Sequence, residues 1–226
     1  MPPNEPPLMP VGRHGAAGTN APSRPVLCIG TAQSVLIEHV PADPGVRIAV
    51  AEARLRQTSG RADIVVDRRP SGRPRLNPPY PELGVSLSHR SDLLLAAFST
   101  DTHVGTDVEV EAPDLEAARL AADHFSPGEA SAVARMTAVS ARDLVMRLWV
   151  AKEAALKLTG RGVFDGMTEP DLAGSIDALL IDSKPFSVAA RERLPALRLA
   201  VRRLVVTDGR RVYCALAAAG TGGEPR

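Results

Sequence analysis

The chain has 226 residues, 44% of them apolar and 23% charged, which is enough to build the core of an ordinary soluble globular protein, as one body or two small halves. Lys and Arg number 27 against 26 Asp and Glu, a formal charge of +1, so no global field points to nucleic acid or to an anionic membrane, and any phosphate must be bound locally. Cys28 and Cys214 each sit in an apolar, strand-like run, which reads as reduced, packed thiols and not as a disulfide framework. MPPNEPPLMP lacks the pattern of a secretory leader, and no apolar run reaches the roughly 18 residues of a membrane span, so a cytoplasmic protein is expected.

Residues 1–24 are rich in Pro, Gly, Ala and Asn without an apolar period and are expected to form a loose tail. From Pro25 the run VLCIGTAQSVLI has strand composition, PADPG supplies a turn, and a helix is predicted over 46–57. A second strand is expected over 62–69; the turn residues SGRP and a Pro-rich connection then lead to VSLSHR and a buried strand over 93–100. VGTDVEV is a β-branched alternating run, followed by helical segments near 114–123 and 127–136. The longest helix is predicted from an N-cap at Ser140 to Gly160, about five turns, with Leu144, Leu148, Ala151, Ala155 and Leu158 as its apolar stripe. PFSVAAR, ALRLAVRRL and RVYCALAAA close the chain as strands, the last two joined by a turn containing Asp208 and Gly209. The mixture predicts an α+β fold of two similar halves packed face to face, 25–103 and 104–226. With 3% aromatics, each half needs a large shared interface, and site residues are expected at the junction.

Asp107 and Glu109 lie two apart in a strand, so both carboxylates face one side, and a magnesium ion is one physical answer to their repulsion; a solvated strand face is the other. Trp149, Glu153 and Lys157 recur every four residues and line one helical face. They supply a third carboxylate and an ammonium for a metal-held phosphate, or an ordinary i,i+4 ion pair. Ser88 and His89, at the end of a short apolar run, are candidate phosphate ligands or structural hydrogen-bonding groups. A Ser-His-Asp hydrolase lacks its main support, because no G-x-S-x-G occurs.

In order along the chain, Gly72-Arg73-Pro74, Ser88-His89, VGTDVE over 104–109, HFSPGE ending at Glu129, and Trp149-x-x-Lys152-Glu153-Ala154-x-x-Lys157 through Gly160 and Gly162 resemble the 4′-phosphopantetheinyl transferase family. The resemblance is to its longer, monomeric type, which activates peptide and polyketide synthases. It implies a pseudo-twofold α+β monomer binding coenzyme A and magnesium in the cleft between its halves. Asp107, Glu109 and Glu153 would then hold magnesium, with Ser88 and His89 near the 3′-phosphate. Gly72, Arg73 and Pro74 would lie against the adenine, Arg47 would contact a phosphate, and Arg56 matches another family arginine more loosely. Two departures stand out: Arg73 replaces the family's usual Lys, and the segment before Arg47 is shorter and less basic than is common.

The implied reaction moves the 4′-phosphopantetheine arm of coenzyme A onto a serine of an apo acyl or peptidyl carrier protein and releases 3′,5′-adenosine bisphosphate. Glu153 would accept the serine proton, and Lys157 would contact the phosphates and protonate the leaving group. Arg119 and Arg135 are candidate contacts for an acidic carrier. A noncatalytic module binding coenzyme A or a carrier is the alternative.

Overall fold

The computed structural model describes residues 25–68, 74–76, 83–160, 167–191 and 194–219. In chain order these form β1 (Leu27–Ile29), β2 (Ala32–Ile37), α1 (Pro44–Ser59), β3 (Val66–Arg68), β4 (Pro74–Leu76), β5 (Gly84–Arg90), β6 (Leu93–Ser99) and β7 (Val104–Val110). They continue with α2 (Ala117–His124), α3 (Pro127–Ala134), α4 (Ala138–Thr159), α5 (Ile176–Leu179), β8 (Phe186–Val188), β9 (Leu197–Val205) and β10 (Arg211–Ala219). Two four-stranded sheets, β1-β2-β6-β5 and β7-β10-β9-β8, are antiparallel throughout, and β3 pairs with β4 in a separate ribbon. The fold is α+β, as the sequence pattern predicts.

Three local features differ from expectation. The single strand expected at VLCIGTAQSVLI folds back at Gly30, whose φ of 58° makes the hairpin turn between β1 and β2, and Cys28 is exposed there while Cys214 is buried. The helix expected over 46–57 starts earlier, because Asp43 accepts a hydrogen bond from the Val46 N–H at 2.9 Å and Pro44 is pre-set for the first turn. The strand expected over 62–69 contracts to Val66–Arg68 and finds its partner in β4, which composition did not reveal.

Strands β6 and β10 are buried on both faces, and their alternation sets the layers. Leu93, Leu95 and Ala97 of β6 share a core with Val212, Cys214, Leu216 and Ala218 of β10, so the sheets pack against each other. Leu94 and Ala96 turn the other way, toward Ala51 of α1, while Tyr213, Ala215 and Ala217 turn toward α4. The layers run helix, sheet, sheet, helix.

α4 is capped by Thr137, whose hydroxyl accepts from the Ser140 N–H at 3.4 Å, so it spans 22 residues, about six turns, where five were expected from a cap at Ser140. It ends at Gly160, as predicted, in the left-handed conformation. The predicted stripe is buried, and so are Arg147 and Lys152. Each of these cations is satisfied. Arg147 meets Asp143 and Asp182 at 2.8 Å each, and the Lys152 ammonium lies 2.8 Å from Glu129 and donates to the Pro170 carbonyl at 2.5 Å. Glu129 also accepts from the N–H groups of Ser126 and Leu172, which ties α3 and the segment before α5 to α4.

Candidate functional site

The face of β7 that carries Gly105, Asp107 and Glu109 looks at α4. A Cβ on Gly105 would lie 2.0 Å from the Ala154 carbonyl oxygen and 2.5 Å from the Leu158 nitrogen, so the missing side chain lets helix backbone touch strand backbone. One strand step on, Asp107 meets the helical face of Glu153 and Lys157. The Lys157 ammonium lies 2.6 Å from Asp107 Oδ1 and 3.5 Å from Glu153 Oε2. The sequence places these three side chains in two elements, and the fold brings them together.

The first sheet closes the other side. Its edge strand β5 runs beside the β7 edge, and the Ser86 and Ser88 hydroxyls accept from the backbone N–H groups of Thr106 and Val108 at 3.1 and 3.4 Å. Each sheet covers the other's open edge by side chains instead of a ladder. Ser88 also donates to Asp107 Oδ1 at 2.7 Å and receives the Lys157 ammonium at 3.0 Å. By the strand's alternation His89 turns outward and is exposed, and Arg90 returns to the Ser88 side with its Nε 3.0 Å from Glu109 Oε2.

Crowding of anions perturbs the acids. Burial, then the Asp107 charge, pushes the Glu153 carboxyl up to about 7, with Lys157 opposing and the Glu109 charge adding to the rise. Glu109 is raised by burial first and Asp107 second, against Arg90 and Lys157.

A divalent cation can be tested against this donor set. Asp107 Oδ2 is buried without a hydrogen-bond partner, and carboxylate oxygens are the ligands a hard cation takes. The chemistry fits. As they stand, no three Asp, Glu, His or Cys side chains among the described residues gather into a group that could hold a metal, and Lys157 lies against two of the three acids.

The model for the 4′-phosphopantetheinyl transferase superfamily matches residues 103–208, which contain Asp107, Glu109, Glu129, Lys152, Glu153 and Lys157. This stretch, and so the part of the chain that carries the cluster, is similar to that superfamily. The chain is 30% identical over 84 residues, 37% of this chain and 34% of the relative, to a Synechocystis protein provisionally named a 4′-phosphopantetheinyl transferase. It is 28% identical over 165 residues, 72% of this chain and 64% of the relative, to the 4′-phosphopantetheinyl transferase HetI of Nostoc. It therefore spans about a third and just under two thirds of these two relatives.

Outside the superfamily match, Gly72 and Arg73 lie beyond the described residues, and Pro74 opens β4. Arg47 is buried beneath the β5–β6 turn, donating to the Ser91 carbonyl at 2.6 Å, while its Nε has no partner. Arg56 is spent on Glu52 and the Ile64 carbonyl. Arg119 pairs with Glu116 and Asp123, and Arg135 donates to Ser131. Trp149 packs edge-on to His124 and against Phe125. The site residue that motif reading missed is Arg90; period two along β5 puts positions 88 and 90 on one face, which is the signal that finds it.

Proposed function

We propose that this protein transfers 4′-phosphopantetheine from coenzyme A to the hydroxyl of a carrier-protein serine, with release of 3′,5′-adenosine bisphosphate. The observation that carries the reading is the convergence of Asp107, Glu153 and Lys157 from a strand and a helix that share no sequence neighbourhood. Asp107, Glu109 and Glu153 would hold magnesium, which supplies charge neutralisation at a pyrophosphate and withdraws electron density from it. Lys157 sits where a phosphate on that face would meet its ammonium, opposing charge that builds on the departing oxygen and able to give that oxygen a proton. Glu153, with its carboxyl raised to about 7, is suited to take the proton of the attacking hydroxyl near neutrality. Ser88 holds Asp107 and Lys157 in register. His89, exposed at the end of β5, Arg47 and the segment Gly72-Arg73-Pro74 are the candidate contacts for the nucleotide end of coenzyme A.

The order of the sheets supports a pseudo-twofold monomer. In the second half the first strand is followed by a helix and ends beside the last strand, as β7-β10-β9; in the first half β2, α1 and the hairpin β5–β6 repeat the scheme as β2-β6-β5. A large shared core between the sheets fits a chain that works alone, and a cytoplasmic location belongs to the same proposal. Apo acyl and peptidyl carrier proteins are the substrates to try, with coenzyme A and magnesium. The test is mass spectrometry of the carrier: a gain of one pantetheine arm that needs magnesium is expected, with Glu153→Gln and Lys157→Ala each lowering the rate at least a hundredfold. Undiminished rates in both variants reject the assigned roles, and no mass gain with any carrier leaves a binding module.

A further inference from the structure

Each carboxylate of the cluster already has a basic partner. Lys157 is 2.6 Å from Asp107 and 3.5 Å from Glu153, and Arg90 is 3.0 Å from Glu109. The two bases come from different sheets' surroundings: Arg90 from the last residue of β5, Lys157 from the last turn of α4. We propose that Arg90 and Lys157 are resident counter-ions of this cluster, which a divalent cation displaces by exchange, turning both side chains toward the phosphates of bound coenzyme A. The proposal rests on reading Asp107, Glu109 and Glu153 as the cation's ligands, and it adds Arg90 to the phosphate-binding residues.

Two cations and three anions leave the cluster close to balanced, so an incoming dication gains less attraction than three bare carboxylates would give it. The bases are held unequally. The Arg90 side chain is 58% exposed, so its guanidinium is well hydrated when it leaves Glu109, and the pair resists exchange only weakly. The Lys157 side chain is 32% exposed and is held by Ser88 as well as Asp107, which is 3% exposed. Its displacement is the harder step. Both side chains would then turn to another anion, and a pyrophosphate is the one that the proposed reaction supplies.

The experiment is Mn2+ binding to the full chain without nucleotide, followed by the electron paramagnetic resonance signal of the free ion. Arg90→Gln should bind Mn2+ about threefold more tightly than the parent protein, and Lys157→Met on the order of tenfold more tightly. Arg90→Lys, which restores the charge, should return the parent affinity. Coenzyme A should tighten Mn2+ binding in the parent and do so several-fold less in the Arg90→Gln, Lys157→Met double variant. Unchanged or weaker Mn2+ binding in both single variants overturns the counter-ion role and leaves the carboxylate site standing. Absence of Mn2+ binding in every protein, the parent included, overturns the cation site itself.

Discussion

Replacing Glu153 with Gln should stabilise the fold at alkaline pH and leave it unchanged in acid. The carboxyl is raised from an ordinary 4.5 to about 7 by burial and by Asp107, so the native protein holds its proton more tightly than the unfolded chain does. Below pH 4.5 both states are protonated and the group is neutral in the balance. Between 4.5 and about 7 the unfolded chain releases the proton while the native state keeps it, and stability falls as pH rises; above about 7 the whole loss is in place. At 1.36 kcal/mol per unit, a displacement from 4.5 to about 7 is worth about 3 kcal/mol. A glutamine of the same shape carries no such loss. In chelator-treated protein, urea or thermal unfolding at pH 5 and pH 8 should show the variant gaining about 2 to 3 kcal/mol relative to the parent across that interval, part of the loss being already in place at pH 5, and on the order of 5 to 10 °C in Tm. A difference between variant and parent that is the same at both pH values refutes the origin assigned to the shift.

Four further outcomes follow from the same geometry. With magnesium limiting, carrier modification should rise with pH through about 7, because Glu153 must be ionised to accept a proton, and saturating magnesium should move that limb to lower pH; a profile flat from pH 6 to 8 removes Glu153 as the base. Gly105→Ala should destabilise by about 3 kcal/mol or more, since the added methyl meets backbone at 2.0 Å, and should depress transfer even where the protein stays folded; denaturant unfolding and the mass assay check the two parts. Lys152→Met should cost about 3–5 kcal/mol by leaving Glu129 charged and unpaired in the core, and Lys152→Met with Glu129→Gln should recover part of it in denaturant titrations, the amide oxygen keeping one of the two backbone N–H groups paired. Ser88→Ala should lower kcat more than it raises KM, because the lost hydroxyl orients Asp107 and Lys157.

Period two in VGTDVEV and the every-fourth-residue face of α4 made Asp107, Glu109, Glu153 and Lys157 legible, because each pattern fixes direction within its own element. What no pattern within one element can show is the seam. Ser88 reads from sequence as a candidate phosphate ligand or structural hydrogen-bonding group, and its hydroxyl engages Asp107, Lys157 and the Val108 N–H; that position depends on two sheet edges meeting across 20 residues of chain. Arg90 was passed over for the same reason, its value arising only beside Glu109. Lys152 stood in the recognised motif beside Glu153, yet successive helical residues point about 100° apart, and it turns into the core to meet Glu129. The Gly30 hairpin was hidden by an uninterrupted apolar run, and Ser140 attracted the cap that Thr137 provides three residues earlier.

The serine seam makes assembly of the molecule and completion of its chemistry a single event. Ser86 and Ser88 dock one sheet on the backbone of the other, and the same docking delivers Ser88 to Lys157 and Arg90 to Glu109. A chain whose second sheet has formed but whose first has yet to settle therefore leaves Glu109 without Arg90 and Lys157 without the Ser88 hydroxyl. Any lesion that loosens the contact between the sheets would disturb this cluster before the fold as a whole gives way.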